Sequence, residues 1–453
     1  MDLGLIILPE INLIANEESW ERKYQLQFPK LIREELGCLV GKEIELNIDE
    51  TVKPVRQKQR RVPFLLCEAV ELELLRLVRE GILERVSGPT TWVSNLVIVP
   101  KEDGSVRLCS DARAANKAIK RIRHMGLTID DIIYRLNGSK WFAKIDLRKA
   151  YLQLVLNKAS RNLTTITTHI GLFRYTWLCF GICSAAEIFA EEIRLLIEDV
   201  EGALNIADDI LLHAETREKL KEILLDVLMR LEHAGLTANA SKCQFFVEKI
   251  IFFGMEFSGD GVAITLEKQR ALREASAPIN LSELNSLLGL ALFCNRSIKD
   301  FSSITAPLWD LTKKQVRWAW TNECEVALKK LKDAIVGDAM AYFNKLWETK
   351  LVVDAGPAGL GAVLTQYNPI NHEQTKVVAF ASRRLSDVET IYSQVEREAL
   401  AFIWGMERFH LYVFGKSFVV GTDNKAVELI MRNPNSDPPA RIKRWALRAS
   451  QYD

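Results

Sequence analysis

Two adjacent acidic residues lie between two short, mainly apolar segments near the middle of the chain. Asp208 and Asp209 separate residues 204–206 from residues 210–212. This pattern predicts two short strands joined by a tight connection that carries both acids. A third acid, Asp146, ends another predicted strand earlier in the chain. If the strands that carry these acids are neighbours in a sheet, three carboxylates meet at one edge.

Three carboxylates at one sheet edge favour a divalent metal site. Like charges this close repel one another unless a cation lies between them. Two ions about 3.5–4 Å apart stabilise the attacking and leaving oxygens of an in-line phosphoryl displacement. An acid pair in a turn is also typical of ordinary solvated chain, and the pair alone leaves that interpretation open.

The charge balance of the chain is close to neutral, so total charge indicates no particular partner. The 453 residues contain 60 Lys and Arg against 59 Asp and Glu, a formal net charge of +1. At about 150 residues per domain, the length predicts roughly three domains. Basic runs at residues 53–61, 113–123 and 441–448 would contact a phosphate backbone if they line one groove.

Several other classes of protein are excluded. No stretch approaches the roughly 18 apolar residues of a membrane span, and we expect no membrane partner. The apolar opening at residues 3–8 lacks the basic region and cleavage site of a secretory signal. The 8 cysteines include no Cys-x-x-Cys pair, so neither a zinc spacing nor a disulfide scaffold is indicated.

Periodicity predicts the elements that surround the acids. Residues 69–80 have the apolar spacing of an amphipathic helix, and residues 92–111 alternate as two strands around an Asp-Gly turn. A leucine-rich helix is predicted from about residue 216 to 234, where a glycine follows. Two further helices are predicted behind Ser282 and from about Asn322.

A second set of acids follows later in the chain. A strand predicted from residue 350 ends at Asp354, and another over residues 417–422 ends at Asp423. The helix predicted between them, from Ser393 to Gly415, carries further glutamates. The order is strand, glycine-containing turn, strand, helix, strand.

The motifs around the first acid set resemble the reverse transcriptases of gypsy-type LTR retrotransposons. Asp146 is followed by Leu-Arg-Lys-Ala-Tyr-Leu-Gln, and the acid pair is followed by Ala-Gly-Leu and Ser-Lys-Cys segments. Residues 178–185 resemble a further motif of this family, and residues 106–117 resemble its first fingers motif. The resemblance extends from about residue 28 to the end of the sequence, nearly the whole chain.

The resemblance implies a polymerase site. Asp146 and Asp208 would be its principal metal ligands, and Asp209 its third acid. Tyr151 matches the steric gate of the family, whose ring would lie under the deoxyribose and clash with a 2′-hydroxyl. A core aromatic residue is the other interpretation of Tyr151.

Four more residues match positions that contact the incoming nucleotide in this family. Lys101 and Arg107 match fingers residues that hold the triphosphate. This role fits their chemistry, because charge on transferring phosphates is met by Lys and Arg. Phe180 and Gly181 match the segment that lines the nucleotide pocket.

The second acid set resembles the ribonuclease H domain that follows reverse transcriptase in the same family. Ser393 and Glu396 form a capping box, so Glu396 already has a structural role. Glu398 begins a stretch that matches the Glu-x-Leu-Ala-like stretch of the family. The resemblance therefore implies that Asp354, Glu398 and Asp423 bind metal, with water as nucleophile against the RNA of an RNA–DNA hybrid.

We therefore expect an α/β (α+β) multidomain protein. A right-hand polymerase with fingers, palm and thumb would precede an RNase H-like α/β domain truncated at its C-terminus. The predicted bounds are 1–50 for a lead-in segment, 51–264 for fingers and palm, 265–339 for a helical thumb or connection, and 340–453 for the RNase H-like domain.

The resemblance also implies cofactors and partners. Each active site would hold two Mg²⁺ ions, with Mn²⁺ as the alternative ion. The expected partners are an RNA template, a DNA or RNA primer, RNA–DNA hybrids and dNTPs, and homodimerisation is an open alternative. The expected location is cytoplasmic, in particles of the element, with the nucleus as the alternative.

The sequence departs from the family pattern at several positions. Ile206 occupies a position where the family usually has Tyr, and Ala190 replaces the Gln of a Phe-Gln pair. Family prolines are absent near Cys179, near Ala186 and around residues 125–127. The fourth acid of the ribonuclease H family would lie beyond Asp453.

Among these departures, the absence of the fourth acid predicts hybrid-RNA cleavage that is much weaker than polymerisation. Ile206 and the absent prolines leave open a catalytically inactive, element-derived protein that binds nucleic acid. A third class, an RNA-templated RNA polymerase, is disfavoured by Tyr151 and by the nuclease-like second acid set.

Overall fold

The computed structural model describes most of the chain, and its residues form two compact units. The first unit consists of residues up to 128 together with residues 141–247, and the second consists of residues 129–140 together with those from 248 onward. The side chains of residues 21 and 22 lie outside the description. The described residues are 20–101, 104–121, 126–206, 208–314, 316–335, 337, 339–433 and 438–452.

Helices and strands are mixed throughout, which confirms the predicted α/β class. The helices are α1 (Trp20–Gln27), α2 (Phe64–Arg79), α3 (Ile129–Arg135), α4 (Lys158–Arg161), α5 (Ala185–Ile197), α6 (Arg217–His233), α7 (Leu266–Arg273), α8 (Leu281–Phe293), α9 (Phe301–Asp310), α10 (Asn322–Asp333), α11 (Asp387–Thr390), α12 (Gln394–Arg408), α13 (His410–Val413), α14 (Lys425–Arg432) and α15 (Ala440–Ala449). The strands are β1 (Leu83–Arg85), β2 (Ser94–Pro100), β3 (Val106–Asp111), β4 (Trp141–Asp146), β5 (Ile166–Thr168), β6 (Gly171–Tyr175), β7 (Ala203–Ile206), β8 (Asp209–Ala214), β9 (Gln244–Val247), β10 (Lys249–Phe252), β11 (Met255–Ser258), β12 (Gly261–Ile264), β13 (Glu348–Ala355), β14 (Gly359–Tyr367), β15 (Thr375–Arg384) and β16 (Val419–Gly421). Among these helices, none has both the length and the apolar character needed to cross a bilayer.

Two sheets form the framework of the first unit. One has the strand order β1-β6-β5-β2-β3, in which β2 and β3 form an antiparallel pair. The other has the order β7-β8-β4-β9, and each neighbouring pair is antiparallel. Helices α5 and α6 contact this second sheet through β7 and β8. The apolar core of the unit includes the fully buried side chains of Phe173 and Phe189.

The second unit has a sheet of strands β15-β14-β13-β16, in which β13 and β16 are parallel and the other pairs are antiparallel. Helix α12 packs against β13 and β14. A separate apolar core joins α7 to α10 and contains the fully buried side chains of Leu272, Leu284 and Leu331. Strands β10, β11 and β12 form another sheet of this unit, in which both neighbouring pairs are antiparallel.

Helix α3 precedes β4 in sequence, yet it belongs to the second unit. The Asp130 carboxylate accepts hydrogen bonds from the Arg296 guanidinium at 2.6 Å and from the Tyr412 hydroxyl at 2.9 Å. Arg296 also donates to the Tyr412 hydroxyl at 2.9 Å. These residues come from three of the predicted domains, whose bounds at 50, 264 and 339 remain predictions.

Most of the predicted elements are present. The strand predicted before Asp146 is β4, and the apolar segments around the acid pair are β7 and β8. The predicted strands within 92–111 are β2 and β3, although Asp103 in their turn lies outside the described residues. The helix predicted over 216–234 is α6, followed by Gly235 at a φ of 77° that favours glycine.

Three helices differ from their predicted bounds. Helix α2 begins directly after Pro63, earlier than predicted. The apolar spacing did not indicate this start, because the apolar side chains of the first turn are exposed and do not follow the spacing of residues 69–80. Helix α8 is capped by Asn280 rather than Ser282, since the Asn280 side chain accepts from the Glu283 N–H at 2.9 Å. The helix predicted over 393–415 is interrupted at Phe409 and forms α12 and α13.

Candidate active sites

The acids of the first set lie on adjacent strands. Strands β4 and β8 are antiparallel neighbours, and Asp146 lies directly opposite Asp209. The two strands are therefore neighbours in one sheet, which is the condition for the acids to meet at one edge. Because opposite residues in an antiparallel pair point to the same face, the two carboxylates lie on one side of the sheet.

The hairpin of β7 and β8 places Asp208 at its turn. Ile206 and Asp209 are opposite each other in the register, so Asp208 lies in the short connection between them. Ile206 is buried, as are Ile210 and Leu211 on the following strand. The apolar arms thus anchor the hairpin in the core and leave the acids at its end. The intervening residue, 207, lies outside the described residues.

Two lysines balance part of this negative charge. The Lys144 ammonium is 2.7 Å from an Asp209 carboxylate oxygen, and the Lys242 ammonium is 4.0 Å from Asp146. Burial raises the pKa of Asp146, Lys242 opposes that rise, and the charge of Asp209 adds to it. Neither lysine is among the predicted site residues. The alternation of β4 puts residues 144 and 146 on one face, which is a sequence signal for Lys144 near Asp146. The pairing of Lys144 with Asp209 depends in addition on the register of the two strands.

Tyr151 lies beside Asp208 and two phenylalanines. Its hydroxyl donates a hydrogen bond to the Asp208 carboxylate, whose pKa is raised by burial. The Tyr151 ring centroid is 5.0 Å from that of Phe180 and 5.7 Å from that of Phe189. The structure therefore brings Tyr151, Phe180 and Asp208 together, with Phe180 partly exposed.

Gly181 follows Phe180 in a conformation that suits glycine. Its φ is +102°, and a Cβ atom there would lie 2.6 Å from the Ser110 carbonyl oxygen. The Asn116 side chain fixes this segment, because it donates to the Gly181 carbonyl at 2.8 Å and accepts from the Cys183 N–H at 3.0 Å. The predicted site residues do not include Asn116, although it lies in the segment that resembles the first fingers motif.

Lys101 and Arg107 lie on the hairpin of β2 and β3. The Lys101 N–H donates to the Ser105 carbonyl at 2.9 Å, and Arg107 lies opposite Val99 in the register. Both side chains are exposed to solvent. Their contact with a triphosphate remains a prediction.

The acids of the second set form a compact cluster. Asp354 lies near the end of β13, Glu398 lies on α12, and Asp423 follows β16. One ligand oxygen from each lies within 4.8 Å of the others. The parallel pairing of β13 with β16 brings the two aspartates to the same edge, because both strands run in the same direction.

The start of α12 separates the roles of its two glutamates. Ser393 and Glu396 form the predicted capping box, since each side chain bonds to the backbone N–H of the other residue. Glu396 also pairs with the Arg441 guanidinium at 2.6 Å. Glu398 instead accepts from the Gln394 side chain at 2.7 Å. Gln394, one helical turn before Glu398, is absent from the predicted site residues.

The Glu398 carboxylate has the properties of a metal ligand. The residue is only 2% exposed, and its Oε2 atom is buried without a hydrogen-bond partner in the described structure. Burial and the nearby charges of Asp423 and Asp354 raise its pKa to about 7. Carboxylate oxygens are the ligands that hard divalent cations prefer, so this cluster fits such an ion.

Several arginines of the basic runs are already paired with acids. Arg113 pairs with Asp111 at 2.7 Å, and Arg121 pairs with Glu187. Arg441, besides its pair with Glu396, lies 4.0 Å from the centroid of the Tyr392 ring. These contacts give part of the runs at 113–123 and 441–448 a structural role.

Two protein families match separate parts of the chain. Residues 99–257 match the family described as reverse transcriptase (RNA-dependent DNA polymerase). Residues 347–452 match the RNase H-like domain found in reverse transcriptase. The first match contains Asp146 and the acid pair, and the second contains the whole cluster of three acids. The chain therefore combines a reverse transcriptase domain with an RNase H-like domain.

The curated relatives are polyproteins of transposons. The chain is 27% identical over 427 residues to the retrovirus-related Pol polyprotein from transposon 412 of Drosophila melanogaster, which covers 92% of the chain and 34% of the relative. It is 27% identical over 414 residues to the transposon Tf2-3 polyprotein of Schizosaccharomyces pombe, covering 89% of the chain and 30% of the relative. These transposon Pol polyproteins, of the gypsy-type LTR class, are homologues of the chain, which spans about a third of their length.

Solved structures share the fold. A foamy viral protease-reverse transcriptase in complex with dsDNA has a TM-score of 0.81 at 23% identity and covers 99% of this chain and 96% of its own. The same type of protein in complex with an RNA/DNA hybrid has a TM-score of 0.77 at 22% identity, covering 99% and 62%. The likeness supports the fold of both domains.

Proposed function

We propose that this chain is an RNA-directed DNA polymerase with an attached ribonuclease H. The observation that carries the proposal is the pair of carboxylate sites, one at the β4–β8 edge and one at Asp354, Glu398 and Asp423. The reverse transcriptase and RNase H-like family matches support it. Its substrates would be dNTPs, an RNA template with a DNA or RNA primer, and RNA–DNA hybrids.

In the polymerase site, Asp146 and Asp208 are the proposed metal ligands. Bound Mg²⁺ or Mn²⁺, two ions per site, would supply positive charge for the attacking primer 3′-hydroxyl and the leaving pyrophosphate. Asp208 has a buried Oδ1 atom without a hydrogen-bond partner in the described structure, which suits it to this role. Asp209 already pairs with Lys144, so its proposed contribution is as the third, charge-balancing acid.

The residues around Asp208 position the nucleotide in this proposal. The Tyr151 ring would lie under the deoxyribose, with Phe180 and Gly181 as walls of the pocket. Lys101 and Arg107 would bind the triphosphate, because their charge opposes that of the phosphates. Asn116 would hold the Phe180–Gly181 segment in place through its two hydrogen bonds.

In the nuclease site, Asp354, Glu398 and Asp423 are the proposed metal ligands. Two bound ions would activate a water molecule against the RNA strand of a hybrid. Gln394 orients Glu398 through its hydrogen bond to one carboxylate oxygen and leaves the other oxygen available. Cytoplasmic particles of the element are the proposed location, with the nucleus as the alternative. A homodimer stays an alternative to the monomer.

The proposal is tested by primer extension. Purified protein is incubated with Mg²⁺, dNTPs and a labelled DNA primer annealed to an RNA template. We expect elongated primer, and we expect none when EDTA removes the metal. Absence of extension by a folded preparation with either Mg²⁺ or Mn²⁺ would contradict polymerase function.

Replacement of Tyr151 by Ala is expected to weaken discrimination against ribonucleotides by about 10- to 100-fold, because a steric barrier at the sugar is removed. The ratio of dNTP to rNTP incorporation efficiency measures this effect. Tyr151→Phe is the matched control, since it keeps the ring and removes only the hydrogen bond to Asp208. An unchanged ratio in Tyr151→Ala would refute the role of a steric gate.

The Mg²⁺-induced rise in melting temperature is expected to be larger at pH 8 than at pH 6. The pKa of Glu398, about 7 in the folded chain against 4.5 ordinarily, makes the group mainly protonated at pH 6. A raised folded-state pKa means that the metal-free protein loses stability as the pH rises from about 4.5 to about 7. Metal displaces the proton, so binding strengthens over the same interval.

Thermal unfolding with and without Mg²⁺ at the two pH values measures this dependence. Glu398→Gln is the control, because the Gln side chain does not titrate. In this variant the Mg²⁺-induced rise in melting temperature should differ less between pH 6 and pH 8. An equal rise at pH 6 and pH 8 in the unmodified protein would show that Glu398 does not bind the ion.

A further inference from the structure

A cavity adjoins the nuclease acids on the side of the loop before α9. Its volume is about 250 Å³, and both Asp354 and Asp423 line it. Lys299 and Asp300, which immediately precede α9, line the same cavity. None of the roles assigned above involves Asp300, which is half-buried.

Asp300 has an unusual backbone conformation for its position. It is the residue that precedes the first turn of α9, with φ 54° and ψ 28° in the left-handed region. An aspartate at such a position ordinarily caps the helix through its side chain. Here its carboxylate makes no capping hydrogen bond to the described start of α9, so the carboxylate is available for another contact.

The Asp300 carboxylate lies over the strand next to Asp354. A Cβ atom built on Gly361 would be 3.1 Å from Asp300 Oδ1, and Gly361 lies directly opposite Asp354 in the register of β13 and β14. Opposite residues have Cβ atoms about 5 Å apart, so this 3.1 Å contact puts the carboxylate within roughly 8 Å of the Asp354 Cβ position. The glycine at 361 leaves the space that the carboxylate occupies.

The cluster that Asp300 approaches has a second feature of a cation site. Glu398 is almost completely buried, and its Oε2 atom has no hydrogen-bond partner among the described residues. This carboxylate faces Asp354 and Asp423 within 4.8 Å. A buried carboxylate oxygen without a partner carries a desolvation cost that a bound cation offsets.

We propose that the Asp300 carboxylate belongs to the nuclease site and accepts a hydrogen bond from a water molecule bound to the metal ion on the Asp354 side. This inference rests on the proposed ribonuclease H function. A water-mediated contact suits the distance, because Mg²⁺ usually keeps several of its water ligands. Groups that hold the water and ligands of a metal site tune its affinity, so Asp300 is a positioning residue.

The test measures Mn²⁺ binding by electron paramagnetic resonance in the full chain. Asp146→Asn and Asp208→Asn together form the parent variant, so that the polymerase acids no longer compete for the ion. In this parent we expect Asp300→Asn to weaken Mn²⁺ binding by about tenfold. Asparagine also tolerates the left-handed conformation, so the backbone of the loop is kept.

Two controls accompany this variant. Asp387→Asn removes an exposed carboxylate of the same unit and should leave the affinity unchanged. Glu398→Gln removes a proposed ligand and should abolish the site. Mn²⁺ affinity within twofold of the parent in Asp300→Asn, with loss in Glu398→Gln, would overturn the role of Asp300 alone. Unchanged binding in Glu398→Gln would instead contradict the proposed nuclease site.

A second variant changes the position of the Asp300 carboxylate without replacing any acidic residue. Gly361→Ala would place a methyl group 3.1 Å from Asp300 Oδ1, so the carboxylate would shift by a few tenths of an ångström. We expect it to weaken Mn²⁺ binding by less than Asp300→Asn does, and we expect the double variant to be no weaker than Asp300→Asn. Fully additive losses would contradict the proposal.

The melting temperature of the metal-free protein separates positioning from a structural role. Asp300→Asn removes a negative charge from the neighbourhood of Asp354 and no hydrogen bond that caps α9. The proposal therefore predicts a metal-free melting temperature equal to or above that of the parent. A lower melting temperature would show that Asp300 acts mainly in the stability of the loop and would overturn the proposal.

Discussion

Primer extension is expected to fall by on the order of 1,000-fold when Asp208 is replaced by Asn, because groups that stabilise transition-state charge have effects of this size. The substitution keeps the shape of the side chain and removes the charge that holds a divalent ion. It also keeps an oxygen that can accept the Tyr151 hydrogen bond, so the nucleotide pocket should stay intact. Single-turnover extension of a DNA primer on an RNA template measures the effect.

The control for this prediction is Glu215→Gln, which removes an exposed carboxylate just after β8. Its extension rate should match that of the unmodified chain. Hybrid-RNA cleavage by Asp208→Asn should also be unchanged, because the nuclease acids belong to the other unit. Residual extension of more than about a tenth of the normal rate would exclude Asp208 as a metal ligand, since such ligands contribute far more.

Cleavage of hybrid RNA is expected to fall by about 100- to 1,000-fold in Glu398→Gln, because the central buried ligand of the second site is lost. The neighbouring Glu396 supplies a matched control two residues away on the same helix. Glu396→Gln should keep cleavage close to normal, since Gln at this position can still complete a capping box. A gel assay with RNA labelled at its 5′ end measures both variants.

These two variants distinguish the proposed metal ligand, Glu398, from Glu396, which caps the same helix. If Glu396→Gln removed cleavage and Glu398→Gln did not, the assignment of the two glutamates would be reversed. If both variants cleaved normally, the cluster of Asp354, Glu398 and Asp423 would not be the nuclease site. Extension by either variant should stay unchanged, because neither residue belongs to the unit that holds Asp208.

Local patterns in the sequence were sufficient to predict the elements that carry the acids. The apolar arms around Asp208 and Asp209 define β7 and β8, and the capping box at Ser393 defines the start of α12. These features depend on residues a few positions apart, where alternation, capping and turn preferences act directly. The resemblance to the retrotransposon family supplied the connection between elements that are distant in sequence.

Contacts between segments that are distant in sequence could not be predicted from local patterns. The pairing of Lys144 with Asp209 depends on the register of β4 and β8, which packing against the core determines. The hydrogen bonds of Asn116 to the Gly181 segment join residues 65 positions apart. The position of Asp300 over Gly361 depends on how α9 packs against β14 and β15.

A single reaction that reports both activities tests the central claim that the chain has two independent metal-dependent sites. The substrate is a DNA primer on an RNA template, with separate labels on the primer and the RNA, and the reaction is run with Mg²⁺ and with EDTA. The account predicts both activities in the unmodified chain, loss of extension alone in Asp208→Asn, and loss of cleavage alone in Glu398→Gln. Loss of both activities in either folded variant, or neither activity in the unmodified chain with Mg²⁺, would contradict it.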